Sequence, residues 1–373
     1  MTIQELNPTH PKIELLDTPF VLVDLDLVDS NVTKLFAYFR DNTNVTVRPH
    51  LKTVKAPYFA QMLVEAGAKG VCTAKLSEAE IMAQAGLKDI LITTELIGEV
   101  KIKRLISLLK AGADLKVVVD SESGARTLNY ALQESGITLP VLIEINVGQN
   151  RCGVEPEAAL PLAKGLSELK HLKLVGVQGY EGHLQHLPDA ERERLCIEAM
   201  EKLSACVETL RKNGIQIDIV TTGGTGTAAI CARFPLITEV QPGSFVFMDE
   251  AYKKATNGAY ANALTVVSTV ISKPRQNRVV VDAGTKSLST DMGMAAVKQS
   301  DSGKTVPLYR PGGDEHGILE VGEGEDIGLA IGDRVEFIPS HIDTTVNLHD
   351  LYHCHRGGIL QRIVPIAARG KVQ

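Results

Sequence analysis

Two lysines stand where a strand-like run meets a predicted helix near residue 50. The segment Arg48-Pro-His-Leu-Lys52-Thr-Val-Lys55 follows the β-type run 45–47 and precedes helical apolar spacing over 56–66. A lysine at the end of a strand is either an ordinary solvated loop residue or an amine that forms a Schiff base with a carbonyl cofactor. Position alone favours the solvated residue, so the rest of the chain must decide.

The segment Thr221-Thr-Gly-Gly-Thr-Gly-Thr227 is the strongest local signal. It follows a predicted strand and opens a short helix. Glycines let the backbone approach an anion, and N–H groups at a helix start bind phosphate. The alternative is a flexible glycine turn, but its position and its threonines favour phosphate binding. No Gly-Lys-Ser/Thr follows the glycines, so the segment is not a Walker A motif.

A carboxylate–imidazole pair lies in Pro339-Ser-His341-Ile-Asp343. Read as a strand, the segment places residues two apart on one face, so His341 and Asp343 would project together as metal ligands. The alternative is an ordinary surface pair. Such ligands suit manganese, magnesium or zinc. Weaker candidates for metal ligands are Asp314, His316, His349, His353 and His355.

The elements that must position these residues alternate between strand and helix. Eight near-continuous apolar runs are separated by helical spacing, a pattern typical of strands buried in a parallel sheet. These runs are 45–48, 70–73, 90–93, 116–119, 141–146, 174–178, 217–221 and 237–241. A doubly wound open sheet has the same local pattern. The count of eight favours a (β/α)8 TIM barrel, in which strand ends converge on one mouth.

The pattern changes after residue 261. Six β-type runs separated by Gly- and Pro-rich turns predict a C-terminal all-β domain without a helix. The fold class is therefore α/β, a (β/α)8 barrel followed by a β domain. A phosphate loop and a strand-end lysine at one barrel mouth indicate pyridoxal 5′-phosphate, for which lysine is the Schiff-base residue.

Composition narrows the partners. The chain has 373 residues and a net charge of −6, with no run of basic residues, so nucleic acid is not an expected partner. The first 15 residues lack the apolar core of a signal peptide, and no apolar stretch reaches the length of a membrane span. Six cysteines without a CxxC pair are expected to be reduced thiols. We expect a cytoplasmic protein.

Motifs spread over nearly the whole chain resemble the D-threonine aldolase and D-serine dehydratase family, a branch of the alanine-racemase-like (fold type III) pyridoxal phosphate enzymes. The matching segments are Thr18-Pro with Asp24-Leu-Asp26, Arg48-Pro-His-Leu-Lys-Thr53, Gly70-Val-Cys-Thr-Ala with Glu78-Ala-Glu80, Arg151-Cys-Gly153, Gly179-Tyr-Glu-Gly-His-Leu-Gln-His186, Thr222-Gly-Gly-Thr225, Asp314-Glu-His-Gly317 and Ile338-Pro-Ser-His-Ile-Asp-Thr-Thr-Val-Asn347.

The resemblance implies a role for each matched position. Lys52 would carry the cofactor, Arg151 would lie beside its ring, and His341 and Asp343 would bind a divalent metal next to the substrate. The residues implied to hold the ring and phosphate are Tyr180, Thr222, Gly223, Gly224, Thr225 and Tyr252. The resemblance also implies a homodimer, with a barrel domain over 18–255 and a β domain over 256–373 joined by residues 1–17.

One position separates the branches of the family. Dehydratase members usually carry cysteine two residues after the metal histidine, whereas aldolase members carry aspartate, as Asp343 does here. The resemblance therefore implies retro-aldol cleavage of D-3-hydroxy-amino acids such as D-threonine to glycine and an aldehyde. A carboxylate ligand favours Mn²⁺ or Mg²⁺, with Zn²⁺ as the alternative. His183 or a metal-bound water is the expected base.

Four alternatives remain open. A 3-hydroxy-D-aspartate aldolase would release glyoxylate, and a dehydratase of D-serine or 3-hydroxyaspartate would release ammonia. A racemase would need a second base, for which Tyr309 and Tyr352 are available, but it leaves the metal pair unexplained. A non-enzymatic cofactor carrier on a related barrel lacks the β domain, and about 110 further residues here argue against it.

Overall fold

A computed structural model of the chain describes residues 12–298 and 306–373. Its strands, numbered along the chain, are β1 Phe20–Asp24, β2 Thr46–Val47, β3 Val71–Thr73, β4 Ile90–Ile92, β5 Leu115–Val119, β6 Leu139–Glu144, β7 Leu172–Gln178, β8 Ile219–Thr222, β9 Glu239–Val240, β10 Leu264–Arg275, β11 Arg278–Val281, β12 Ala296–Val297, β13 Leu308–Pro311, β14 Gly317–Glu320, β15 Arg334–Ile338, β16 Leu351–Arg356 and β17 Ile359–Pro365.

The α-helices of the described residues lie mostly between the strands β1 to β9. They are α1 Leu25–Asn42, α2 Pro57–Glu65, α3 Leu76–Gln84, α4 Glu99–Lys110, α5 Glu122–Leu132, α6 Pro156–Ser167, α7 Asp189–Lys212, α8 Ala228–Cys231, α9 Glu250–Ala255 and α10 Ile342–Val346. Within the described part of the chain, no helix combines the length and apolarity that crossing a membrane requires.

The strands β2 to β9 form one parallel eight-stranded sheet in the order β2-β9-β8-β7-β6-β5-β4-β3. The two end strands are joined by a parallel bridge between His50 and Cys72, so the sheet curls into a (β/α)8-type barrel. All eight predicted strand positions and the barrel are confirmed. Cys72, Leu91, Val118 and Leu142, one residue from each of β3 to β6, pack together in one buried cluster.

The other nine strands form a mostly antiparallel sheet with the path β13-β14-β11-β10-β1-β16-β17, while β15 pairs with β10 and β12. The first strand of the chain belongs here: β1 pairs antiparallel with β10 and parallel with β16. The boundary predicted at residue 18 places this strand with the barrel instead. Its local sequence is that of any buried strand, and only partners more than 240 residues away in the chain distinguish the two sheets.

The prediction that no helix follows residue 261 is wrong, because Ile342–Val346 is a short α-helix. The described residues form two compact units. One contains 12–32, 53–56, 244–298 and 306–370, and it holds the nine-stranded sheet. The other contains 33–52, 57–243 and 371–373, and it holds the barrel. Residues 1–11, which the resemblance assigns to the β domain, lie outside the described part of the chain.

Candidate active site

Arg48 anchors the end of β2 from inside the barrel unit. Its guanidinium is 1 % exposed and donates to both carboxylate oxygens of Glu239, at 2.7 and 2.8 Å, and to Asp89 at 2.8 Å. Burial alone would lower the pKa of Arg48, but the Glu239 and Asp89 carboxylates raise it above its ordinary value. The charge is therefore fixed, and it holds the backbone that leads to Lys52.

His50 continues this support toward the candidate lysine. The backbone N–H of Lys52 donates to His50 Nδ1 at 3.3 Å, and His50 Nε2 lies 3.0 Å from the hydroxyl of Thr93. Lys52 itself is half-buried. The backbone at Lys52 is therefore fixed by hydrogen bonds. A residue that holds a cofactor requires such a fixed position.

The barrel sheet places three sequence-predicted groups at one edge. Lys52 follows β2, the loop 222–227 follows β8 and Tyr180 follows β7, and the adjacent strands run parallel in the order β2-β9-β8-β7. Strands are about 4.8 Å apart, so the ends of β2 and β8 are separated by about 10 Å. The amine and the glycine loop therefore open on the same mouth.

Arg151 lies beside Tyr180 in this mouth. The Arg151 guanidinium carbon lies 5.8 Å from the centre of the Tyr180 ring, within range of a cation–π interaction. Arg151 is exposed and Tyr180 is half-buried. The structure therefore brings the guanidinium of Arg151 next to the ring of Tyr180, while the cofactor-binding roles that the resemblance implies for both residues stay predictions.

His183 stands three residues beyond Tyr180, in a short 3-10 helix, Gly182–Leu184. Burial lowers the pKa of His183, and the nearby Lys202 lowers it further against the opposing charge of Glu181. The imidazole is therefore mainly neutral near pH 7 and can accept a proton. It also lines a groove of about 940 Å³ with residues of α6 and α7.

The metal candidates lie in the other unit and do not form a strand. β15 ends at Ile338, His341 is the N-cap residue of α10, and Asp343 lies in its first turn. The strand predicted through His341 and Asp343 is therefore wrong, because the chain turns into a helix at this point. A metal site at His341 and Asp343 stays a prediction, and it now rests on the hydrogen-bond partners of the two side chains.

Each of the two side chains is held by a further polar group. His341 Nδ1 lies 2.6 Å from Asp291 Oδ2, and Asp343 Oδ1 accepts a 2.6 Å hydrogen bond from the hydroxyl of Thr53. Partial burial alone would raise the pKa of Asp291, but hydrogen bonds from Ser289, His341 and Thr344 lower it to about 2. A carboxylate that orients an imidazole through Nδ1 leaves Nε2 as the ligating atom.

Asp249 ties Tyr252 to the same segment. Its two oxygens accept from the backbone N–H groups of Tyr252, at 2.7 Å, and of Ile342, at 2.8 Å. Burial raises the pKa of Asp249 to about 6, although both backbone hydrogen bonds favour the charged form. One buried carboxyl group therefore fixes both the start of α9 and the start of α10.

The described residues contain two further clusters of potential metal ligands that the sequence analysis did not identify. They are Glu181 with Cys196 and Cys231, and Glu95 with Asp120 and Cys152, each with ligand atoms within 4.8 Å of one another. All six cysteines of the chain are free thiols, as predicted. Neither cluster includes His341 or Asp343.

Comparison with known proteins finds a matching family model for each of the two parts of the chain. Residues 23–251 match the family model "Alanine racemase, N-terminal domain", and residues 263–355 match "Putative serine dehydratase domain". A D-threonine aldolase from Arthrobacter sp. is 36% identical over 95% of this chain and 93% of its own length. The chain belongs to the D-threonine aldolase and D-serine dehydratase family.

Two further relatives agree. A 3-hydroxy-D-aspartate aldolase from Paracoccus denitrificans (strain Pd 1222) is 34% identical, covering 95% of this chain and 93% of its own length. The crystal structure of D-threonine aldolase from Filomicrobium marinum superposes with a TM-score of 0.93 at 35% identity, covering 99% of this chain and 100% of that one. A member of this family is a pyridoxal-phosphate-dependent lyase.

The barrel mouth fits the family's cofactor. Lys52 supplies a half-buried amine, Arg151 and Tyr180 supply a charge beside an aromatic face, and a glycine loop follows β8. In addition, the buried hydroxyl of Thr73, at the carboxyl end of β3, has no hydrogen-bond partner. Buried polar groups are nearly always paired, so such an atom indicates a polar group that binds there.

Sequence reasoning missed the residues that support the named ones. His50, Glu181, Gln185, Asp249 and Asp291 each hold a candidate residue or its backbone in place. His50, Glu181 and Gln185 stand inside motifs already singled out, so polar residues within those motifs were the available signal. For Asp249 the available signal was its place as the N-cap of a helix, three residues before Tyr252. Its contact with Ile342 and the contact of Asp291 with His341 join residues about 90 and 50 positions apart, so neither could be read locally.

Proposed function

We propose that the chain is an aldolase that cleaves D-3-hydroxy-amino acids of the D-threonine type into glycine and an aldehyde. The observation that carries the proposal is Asp343: it stands where dehydratase members carry cysteine, and Thr53 holds it as a hydrogen-bonded carboxylate. Both named aldolase relatives, which match the chain nearly end to end, support the same choice.

The barrel residues supply binding and charge. Lys52 would hold the cofactor at the mouth, and the loop 222–227 would bind its phosphate. When bound, pyridoxal phosphate accepts the electron pair released as a bond to the substrate α-carbon breaks. The guanidinium of Arg151, held beside Tyr180, would disfavour protonation of a nearby cofactor ring nitrogen, because like charges repel.

Proton removal falls to His183. Cleavage between the α- and β-carbons requires the β-hydroxyl to lose its proton as the carbonyl of the aldehyde forms. His183 is mainly neutral near pH 7 because burial lowers its pKa, so its ring nitrogen can accept that proton. The same imidazolium can then return a proton to the product.

His341 and Asp343 are the residues that would hold a divalent cation. Imidazole and carboxylate ligands suit Mn²⁺ or Mg²⁺, with Zn²⁺ as the alternative, and two protein ligands leave positions for water or substrate. The cation would polarise a hydroxyl group and so ease its deprotonation. The partners Asp291 and Thr53 fit this role because metal ligands are themselves hydrogen-bonded.

The tyrosines disfavour a racemase. The hydroxyl of Tyr309 donates to the carbonyl of Ala283 at 3.1 Å, and that of Tyr352 donates to the carbonyl of Val54 at 2.8 Å. Both side chains are buried, and burial raises the pKa of Tyr309 to about 12. Neither tyrosine is therefore poised as the second base that racemisation needs.

The products decide between the remaining activities. Purified protein with pyridoxal phosphate and Mn²⁺ is incubated with D-threonine, D-serine and D-3-hydroxyaspartate, and aldehyde, glyoxylate, glycine and ammonia are measured. The proposal predicts glycine plus acetaldehyde from D-threonine. Glyoxylate formed much faster from 3-hydroxyaspartate would reassign the substrate, and ammonia as the main product would replace the aldolase with a dehydratase.

The assembly and location are further parts of the proposal. The family resemblance supports a homodimer, and sedimentation at micromolar protein tests it, since a monomer mass would reject it. We also propose a cytoplasmic location, the compartment in which reduced cysteines such as the six of this chain are usual.

A further inference from the structure

The side chain of Glu181 is fully buried and holds the loop 222–227 in place through hydrogen bonds. Its Oε2 accepts from the hydroxyl of Thr222 at 2.9 Å and from the N–H of Gly223 at 3.4 Å. Its Oε1 accepts from the hydroxyl of Thr227. The exposed fraction of Glu181 is 0 %, so these donors take the place of water around its carboxyl group.

Gln185, one helical turn further along, completes the support. Its side-chain amide donates to Thr227 at 2.8 Å and to Glu181 at 3.3 Å, and its oxygen accepts from the N–H of Gly226 at 2.9 Å. The N–H of Gly224 is bound by the Thr227 hydroxyl at 3.0 Å. Glu181, Gln185 and Thr227 form one network, called here the loop clamp.

The loop clamp explains two of the glycines. A Cβ on Gly224 would lie 2.6 Å from the side-chain oxygen of Gln185, and one on Gly226 would lie 2.5 Å from its backbone oxygen. Side chains at these positions would push Gln185 away. These glycines are therefore needed for packing against the clamp, whereas the sequence analysis attributed the glycines of this loop to a close approach of phosphate.

The N–H groups of Gly223, Gly224 and Gly226 all bind protein oxygens, and the Thr222 proton is bound to Glu181. These donors fix the shape of the loop before any ligand arrives. A loop already ordered loses less conformational entropy on binding than one that must order with its ligand. Affinity for phosphate then depends on residues that do not themselves touch it.

We propose that Glu181 and Gln185 are positioning residues for the cofactor phosphate, and that they act by preordering the loop 222–227. The inference rests on the proposed role of this loop in phosphate binding. A cluster of Glu181 with Cys196 and Cys231 also has metal-ligand spacing, but the Glu181 oxygens already receive several donors, so support of the loop is the better reading.

The test compares two ligands that differ only in phosphate. The full-length chain is freed of cofactor by dialysis against hydroxylamine, which takes the cofactor aldehyde as its oxime and leaves the lysine amine, and the hydroxylamine is then removed. The protein is titrated with pyridoxal 5′-phosphate and with pyridoxal, and the dissociation constant of pyridoxal divided by that of pyridoxal phosphate reports the phosphate contribution. Glu181→Gln puts an N–H₂ group among hydroxyl and amide donors. The variant should bind pyridoxal phosphate about 10- to 100-fold more weakly, while its affinity for pyridoxal stays nearly unchanged. The ratio of the two dissociation constants should therefore fall by the same factor.

Two further variants keep the outcome decisive. Glu144→Gln changes another buried carboxyl group of the barrel, whose partner is Gln178, and it should leave the ratio as in the wild type. If Glu181→Gln does not fold, Gln185→Met removes the polar contacts while keeping a similar shape, and it should lower the ratio several-fold. Both preserve the 222–227 sequence itself.

The possible failures are distinguishable. A wild-type protein that binds pyridoxal as tightly as pyridoxal phosphate has no phosphate site, and the proposed function fails. A wild type that prefers the phosphate ester, together with folded Glu181→Gln and Gln185→Met variants that keep the full preference, overturns only the role of the loop clamp.

Discussion

The hydroxyl of Thr53 donates a 2.6 Å hydrogen bond to Asp343, and Thr53 is the residue that directly follows Lys52 in the chain. Thr53 is fully buried. The contact joins residues 290 positions apart, so it constrains one proposed metal ligand through a residue of the lysine motif. It orients Asp343 in the way that a supporting residue orients a metal-bound carboxylate.

Thr53→Val should therefore weaken metal binding. Valine has nearly the same shape but no hydroxyl, so Asp343 loses its donor, and the affinity for Mn²⁺ should fall about 10- to 100-fold. Calorimetric titration with Mn²⁺ measures this directly. Thr53→Ser, which keeps the hydroxyl, is the matched control and should bind the metal almost as the wild type does. Equal affinities in Val and Ser variants would show that the contact is irrelevant to the metal.

The activity should have an acidic limb below pH 6.5 that belongs to His183. Because burial lowers the pKa of this histidine, kcat/KM should rise as pH increases through that pKa and then level off. His183→Asn should lose the limb and about 100- to 10,000-fold in kcat/KM. A pH–rate profile of both proteins on D-threonine measures it. A variant that retains the limb would assign the base to another group.

The eight barrel strands were predictable because each is a short run of consecutive apolar residues. Such a run can be recognised from neighbouring residues alone. The sheet that contains Phe20–Asp24 was not, since its pairing partners lie in β10 and β16 at the far end of the chain. Likewise the turn at Ser340 into α10 carries no strong helix signal. The support given to His341 by Asp291 arises only from the fold.

Stability should depend on pH through Glu144. Burial and the neighbouring carboxylate of Glu95 raise its pKa from 4.5 to about 8. Between these values the folded chain holds more protons than the unfolded chain, so its free energy of unfolding falls as pH rises. Glu144→Gln, neutral at every pH, should remove this fall.

Urea unfolding of the wild type and of Glu144→Gln at pH 5, 6.5 and 8 measures the effect. The variant should gain stability relative to the wild type as pH increases, with the smallest difference at pH 5. Parallel curves for the two proteins across this interval would mean that Glu144 is ionised in the folded chain.

The buried ion pair of Arg48 and Glu239 should stabilise the folded barrel unit against loss of either partner. Arg48→Met leaves Glu239 buried without its partner, which should cost about 3–5 kcal/mol of the unfolding free energy in urea. When Arg48→Met is combined with Glu239→Gln, no unpaired buried carboxyl group remains at position 239. The double variant should therefore recover part of the lost free energy of unfolding. A double variant no more stable than Arg48→Met would contradict this account of the pair.

Replacement of Lys52 is the sharpest test of whether this lysine carries the cofactor. The purified Lys52→Ala protein is mixed with pyridoxal phosphate, and its visible cofactor absorbance and its release of aldehyde from D-threonine are recorded beside the wild type. Lys69→Ala, at an exposed lysine of the same unit, is the control. We expect that only Lys52→Ala loses both the protein-bound absorbance band and turnover, and that Lys69→Ala keeps them. A folded Lys52→Ala protein that keeps the band and still releases aldehyde at the wild-type rate would contradict it.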